Sequence, residues 1–165
     1  CERKSAKHAD KGEVEYAHVR IPAPDASSYA VHKSMQGNKR KDTKPELLVR
    51  QRLREAGLGG YRLQWKVPGH PDVAWPGKKV ALFIHGCYWH RCPHCNLSLP
   101  KKNTEYWVAK FNRNQERDAQ NEATLIADGW KVHVVWECEL KKGKREETFA
   151  KLLPVLAHEL GKELR

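Results

Sequence analysis

A carboxylate and two histidines stand where a short hairpin would bring them together. Asp72 follows Pro71 at the start of one candidate strand, and His85 follows Ile84 at the end of the next. Both come out at the same edge of such a hairpin. A hard divalent ion such as Mg²⁺ takes carboxylate, carbonyl and water oxygens. A neighbouring histidine moves a proton to or from water near neutral pH. Together they suit metal-assisted hydrolysis of a phosphodiester. A bland role for Asp72, capping the turn after Pro71, accounts for the same residue without chemistry. His90 lies five residues beyond His85, with Tyr88 and Trp89 between them. One histidine can serve water and the other the phosphate or leaving oxygen; alternatively they are zinc ligands or surface groups.

Four of the five cysteines, Cys87, Cys92, Cys95 and Cys138, gather around this histidine-rich segment. Thiolates at such spacing bind Zn²⁺ tetrahedrally. Cys138 follows a distant strand, so a metal there would staple that strand to the loop. His94 is an alternative to Cys95 as the fourth ligand. Four cysteines leave no open coordination position, which makes the site structural and argues against a catalytic zinc hydrolase.

Tyr88 and Trp89 stand between the two histidines, and Trp107 lies near Lys101, Lys102 and Asn103. Aromatic side chains in a basic setting can wedge between base pairs and unstack them; they can equally shield a zinc site. Trp65, Trp75, Trp130 and Trp136 fall on strand-like segments and read as packing. Glu46 has two readings as well. It lies three residues after Thr43, as in a capping box, and it shares a helical face with Val49 and Leu53, which would turn it inward.

The bulk properties agree with a nucleic-acid partner. Lys and Arg number 31 against 20 Asp and Glu, a formal net charge of +11 spread along the chain. Such an excess in one domain of this size favours a polyanion, although a basic solvated surface would look the same. The longest apolar run, Val80 to Ile84, is far too short to span a bilayer. No secretory signal is read at the start of the sequence, an expectation that favours a metal site over disulfides for its cysteines; the opening Cys1 in place of Met reads as a start inside a longer gene product or after processing.

These groups need elements to hold them. Residues 1–30 are polar and unpatterned and read as an arm, with a single domain over 31–165. Residues 31–42 are basic and turn-like, or a short helix. Thr43, Pro45 and Glu46 open a helix whose apolar face is Val49, Leu53 and Ala56, and Gly57, Gly59 and Gly60 end it. Strands are expected over 61–67, 72–75 and 79–84, the last a continuous apolar run typical of a central strand. An irregular segment over 85–103 precedes a long helix at 104–128, then a strand at 130–136. A final helix spans 145–162, with Pro154 as a kink or break. The order predicts an α/β domain with a central mixed sheet flanked by helices.

Five blocks in order, HKSMQGNKRKDTKPE, PGHPDVAW, FIHGCYWHRCPHC, NTEYWVAKFNRNQERD and GWKVHVVWECEL, resemble the very short patch repair endonucleases from about Lys33 to Lys142. The resemblance implies a PD-(D/E)xK-type nuclease fold with a structural zinc site. It implies Asp72 as the metal-binding aspartate and His85 as the catalytic histidine. His90 would be the second active-site histidine, and Glu46 the glutamate supplied by the first helix. Ile84 stands where well-known members carry threonine, so the Mg²⁺ contact implied there is its backbone carbonyl. Tyr88, Trp89 and Trp107 match the intercalating aromatics. Cys87, Cys92 and Cys138, with Cys95 or His94, fall at the zinc positions. The implied cofactors are Mg²⁺ for catalysis and Zn²⁺ for structure. The implied substrate is double-stranded DNA with a T:G mismatch left by deamination of 5-methylcytosine, nicked 5′ of the mispaired T. A monomer is expected, acting in the cytoplasm of a bacterial-type cell at the nucleoid, with mismatch-repair proteins as partners and no membrane. Two other readings keep the same residues: a nicking or restriction endonuclease with no mismatch requirement, and a zinc-containing DNA-binding module without catalysis.

Overall fold

The computed structural model describes residues 22–26, 28–37 and 41–165, with backbone alone at 31, 34 and 35. Most of the expected arm, residues 1–21 and 27, lies outside the described residues. So do residues 38–40 of the basic segment that follows it. The elements run α1 (Tyr29–Gln36), α2 (Lys44–Glu55), β1 (Arg62–Leu63), β2 (Val73–Trp75), β3 (Val80–His85), α3 (Thr104–Ala127), β4 (Lys131–Trp136) and α4 (Arg145–Leu160). Short 3₁₀ turns follow β2 and β4, at Pro76–Lys78 and Glu137–Leu140.

The strands form one mixed sheet in the order β1-β2-β3-β4. β1 pairs antiparallel with β2, and β2 with β3, in the register Val73↔Leu82, Ala74↔Ala81 and Trp75↔Val80. β3 and β4 are parallel, from Val80↔Lys131 to His85↔Trp136. Parallel neighbours need a long crossover, and α3 supplies it. One face of the sheet packs Val73, Trp75, Val80, Leu82 and Val135 against Val49 and Leu53 of α2 and Phe149, Leu156 and Leu160 of α4. The other packs Ala74, Ala81 and Phe83 against Leu125 and Trp130. Burial on both faces is why β3 reads as an unbroken apolar run.

Local chemistry explains where these elements stop. α2 closes at Gly57, whose φ is +79°. The Leu58 amide donates to the Leu53 carbonyl (2.8 Å) and the Gly57 amide to Arg54 (3.0 Å), a Schellman closure with Leu53 and Leu58 both fully buried. The expected strand over 61–67 shortens to Arg62–Leu63. Gln64 takes φ +47° and swings the chain off the ladder, so that Trp65 and Val67 pack on the α3 face instead. α4 is continuous through Pro154, so of the expected kink or break the break does not occur. Pro154 and Ala150 are both exposed, so the carbonyl left without a partner meets water. The capping box at α2 is also incomplete. Thr43 makes no side-chain cap bond; its hydroxyl instead donates to Glu46 Oε1 (2.8 Å), while the Asp42 amide donates to Glu46 Oε2 (2.9 Å). Arg50, one turn further on, competes for that carboxylate.

Candidate active site

The β2–β3 hairpin fixes the first carboxylate. Asp72 enters β2 behind buried Pro71. Its Oδ2 accepts the Ile84 amide from the neighbouring strand at 2.7 Å, and its Oδ1 accepts Gln64 Nε2 at 3.0 Å. The unusual φ of Gln64 is what brings that amide to Asp72. Burial pushes the Asp72 carboxyl above its ordinary range. The Ile84 amide opposes that shift, the charge of Glu46 adds to it, and Gln64 and Arg50 oppose it. A carboxylate held half-buried in this way gains from a cation beside it.

A cleft of about 820 Å³ opens here, lined by Glu46, Asp72, Ile84, His85 and His90 among others. Asp118, Glu122 and Glu137 also line it, and Arg117 is the one Lys or Arg among its described lining residues. In a chain of net charge +11, such a concentration of carboxylates is a hard-oxygen donor set suited to a divalent cation. Glu46 reaches the cleft from the inward face of α2, at 4% exposure. The bland capping role leaves that burial unexplained.

The two histidines come together as a stacked pair, with centroids 4.1 Å apart and planes 10° from parallel. A tight turn makes this possible: the His90 amide donates to the Gly86 carbonyl at 3.2 Å. Burial, then the neighbouring His90, push the protonation of His85 down to about 4, with Asp118 opposing. His85 is therefore neutral at pH 7. His90 Nδ1 lies 2.5 Å from Asp118 Oδ2, and donor atoms of His85, His90 and Asp118 all fall within 4.8 Å of one another. Sequence reading did not single out Asp118. The signals were the polar middle of α3 over residues 112–118 and the block NTEYWVAKFNRNQERD that ends on Asp118, but its target is visible only once α3 is laid across the sheet.

Beyond the end of β3 the chain reaches Cys87, and just past β4 it reaches Cys138. Their sulfurs and those of Cys92 and Cys95 lie within 4.8 Å of one another. The Cys92 and Cys138 sulfurs are 3.6 Å apart, close to the roughly 3.8 Å edge that four Zn–S bonds of about 2.3 Å would give a tetrahedron. The His94 and Cys138 amides donate to the sulfurs of Cys92 (3.4 Å) and Cys87 (3.3 Å). Burial pushes the Cys87 and Cys138 thiols up, the latter to about 11. Burial also acts on Cys92, but the His94 amide and the adjoining thiols outweigh it and hold this thiol below its ordinary value. Of the two options for the fourth position, Cys95 belongs to the cluster and His94 is exposed outside it.

The aromatic residues form a separate ridge. Tyr88 meets Phe111 edge-on at 5.3 Å, and Trp89 and Trp107 lie 6.1 Å apart. Lys110 Nζ stands over both indoles, 5.3 Å from Trp89 and 5.0 Å from Trp107. Asn114 ties the Trp89 carbonyl to α3 at 3.0 Å. The cysteines pack on Leu97 and Trp136 rather than on this ridge. Tyr88, Trp89 and Trp107 remain half-buried.

The chain is similar to known proteins. The family model described as DNA mismatch endonuclease Vsr matches residues 28–97. The chain is 44% identical over 108 residues to the type II nicking enzyme V.XorIIP of Xanthomonas oryzae pv. oryzae, an alignment spanning 64% of this chain and 78% of that protein. Against the type II nicking enzyme V.NmeAIP of Neisseria meningitidis it is 45% identical over 102 residues, 61% of this chain and 72% of the relative. Against the DNA mismatch endonuclease Vsr of Escherichia coli the figures are 37% over 111 residues, 66% of this chain and 70% of the relative. These matches set aside a non-catalytic binding module, and the chain belongs to the Vsr family of DNA endonucleases.

Proposed function

We propose that this enzyme nicks one strand of duplex DNA 5′ of the mispaired thymine in a T:G mismatch left by deamination of 5-methylcytosine. The observation that carries the reading is the adjacency of two unlike surfaces. A carboxylate-lined cleft with a stacked histidine pair lies beside a half-buried aromatic ridge, with Trp89 lining the cleft and also meeting Trp107. The ridge is suited to entering a stack, and a wobble pair resists unstacking less than a good pair.

Asp72 and the Ile84 carbonyl would hold Mg²⁺, which when bound polarises the scissile phosphate and acidifies water. His85 takes the proton from the attacking water. His90, held by Asp118, supports the phosphate or the leaving oxygen. Glu46 orients water or His90 from the α2 side. Cys87, Cys92, Cys95 and Cys138 hold a structural Zn²⁺ that fastens the loop bearing His90 and the ridge to the end of β4. Tyr88, Trp89 and Trp107 intercalate, and basic side chains of residues 33–54 and 101–117 hold phosphates, giving affinity that falls steeply with salt. The sheet and its flanking helices form a PD-(D/E)xK-type core within one unit over 31–165. The enzyme works as a monomer, ahead of excision and resynthesis by repair proteins.

The test uses two end-labelled duplexes, identical except for a T:G in place of C:G at a cytosine-methylation site, each with Mg²⁺ and with EDTA. The reading expects a Mg²⁺-dependent nick beside the mispaired T alone. Equal cutting of both duplexes would replace it with a nicking endonuclease indifferent to mismatches, a reading favoured by relatives named type II nicking enzymes. Asp72→Ala abolishes nicking and leaves binding intact; a variant that still cuts refutes the site.

A further inference from the structure

The described residues hold two buried charged side chains, Glu46 and Arg50, and they touch. Arg50 Nη2 donates to Glu46 Oε2 at 3.0 Å, and Nη1 donates to Asp42 Oδ1 at 2.6 Å. The Asp42 amide, in a residue at φ +56°, converges on the same Oε2, and the Thr43 hydroxyl takes Oε1. A carboxylate offers about four acceptor positions. Three are used here, and the one left is on Oε1 of a side chain that lines the cleft. The guanidinium does this at a cost. Its Nε–H is buried with no partner among the described residues. Buried ion pairs contribute little to stability compared with apolar replacements, so stability alone is a poor reason for one here. The backbone beneath the pair is stiff, because Val49 and Leu53 of the same helix are fully buried.

We propose that Arg50 is a positioning residue: it clamps Glu46 and Asp42 together so that the Glu46 carboxylate presents one fixed oxygen to the divalent-cation end of the cleft. The proposal rests on reading Glu46 as part of the active site. A planar guanidinium can hold two carboxylates at once in fixed directions, whereas an ammonium is a point charge. Arg50→Lys is therefore expected to keep one contact and part of the function.

The test is a double-mutant cycle on the full-length, zinc-loaded chain with Arg50→Met, Arg50→Lys, Glu46→Gln and the Arg50→Met/Glu46→Gln double variant. Mn²⁺ serves as the probe, its binding followed without DNA by loss of the free-ion paramagnetic signal. Single-turnover nicking and thermal unfolding are measured alongside. Arg50→Met is expected to weaken Mn²⁺ binding about tenfold, the scale of one lost charge-assisted hydrogen bond. It should lower the maximal nicking rate with DNA affinity unchanged, and Arg50→Lys should fall between Arg50→Met and the parent. The double variant is expected to match Glu46→Gln alone, because Arg50 acts through Glu46. An unchanged or tighter Mn²⁺ midpoint in Arg50→Met, or additive losses in the double variant, overturns the proposal for Arg50. If Glu46→Gln itself moves neither Mn²⁺ binding nor rate, the fault lies in the placement of Glu46 in the active site. Should Arg50→Met fail to fold, Arg50→Lys and the charge-neutral double variant carry the same comparison.

Discussion

Removing the Asp118 carboxylate should slow the chemical step without loosening DNA. Asp118 Oδ2 lies 2.5 Å from His90 Nδ1, with the two side chains 21% and 25% exposed. The contact places the proton on Nδ1 and leaves Nε2 of His90 free to act. Asn at this position can still accept from Nδ1–H, but without charge. Hydrogen bonds to charged groups contribute about 1.5–3 kcal/mol and neutral ones about 0.5–1.5, so Asp118→Asn should lose roughly 1–1.5 kcal/mol, a five- to tenfold drop in rate. Asp118→Ala deletes the bond and should lose the full 1.5–3 kcal/mol, roughly ten- to 150-fold. Stability should change by less than about 1 kcal/mol, because the pair is partly exposed. The assay is single-turnover nicking of a T:G duplex with enzyme in excess and saturating Mg²⁺, beside DNA affinity in EDTA. The graded order, parent above Asn above Ala at constant affinity, is the expected result. Cutting by the Ala variant at the parent rate, or a rate loss matched by lost affinity, would refute the assignment of Asp118 as the holder of His90.

Other perturbations read different parts of the molecule. Cys138→Ser should release zinc to a chromogenic chelator and lower the unfolding temperature sharply, since structural zinc contributes about 10–16 kcal/mol in small metal-folded domains; an unchanged metal content would remove Cys138 from the ligand set. Trp107→Ala should erode the preference for mismatched over matched DNA by the roughly 1–3 kcal/mol of a lost stacking contact, measured as a ratio of nicking rates. Leu82→Ala, at a fully buried position in the central strand, should lower urea stability by about 2–5 kcal/mol while the surviving folded fraction retains mismatch preference.

The sequence made the hairpin bearing Asp72 and His85 readable because its signals are local: a Pro-Gly turn, an apolar run and a polar residue at each end. The long α3 and the helix stop at Gly57 were legible for the same reason. What escaped depends on contacts between distant segments. Asp118 lies 28 residues from His90 and gains its meaning only when α3 crosses the sheet. Gln64 looked like strand, and its departure from the ladder follows from a positive φ that lets it reach Asp72. Glu46 matched a capping box because the motif records spacing and not competition; Arg50 draws its carboxylate away from that job. The fourth cysteine was ambiguous in sequence because His94 and Cys95 are neighbours, and only the loop's path separates them.

The four cysteines join the ends of β3 and β4, which leave the sheet on the same edge as the cleft. The segment between Cys95 and Cys138, including α3 with Trp107, Lys110, Asn114 and Asp118, leaves this cluster and returns to it. The stretch from residue 96 to 103 sets where α3 begins relative to the cluster. Shortening or lengthening it would shift Trp107 against Trp89 and Asp118 against His90, both partners lying on the loop before it. A change of length there would therefore disturb the aromatic ridge and the histidine–carboxylate contact together.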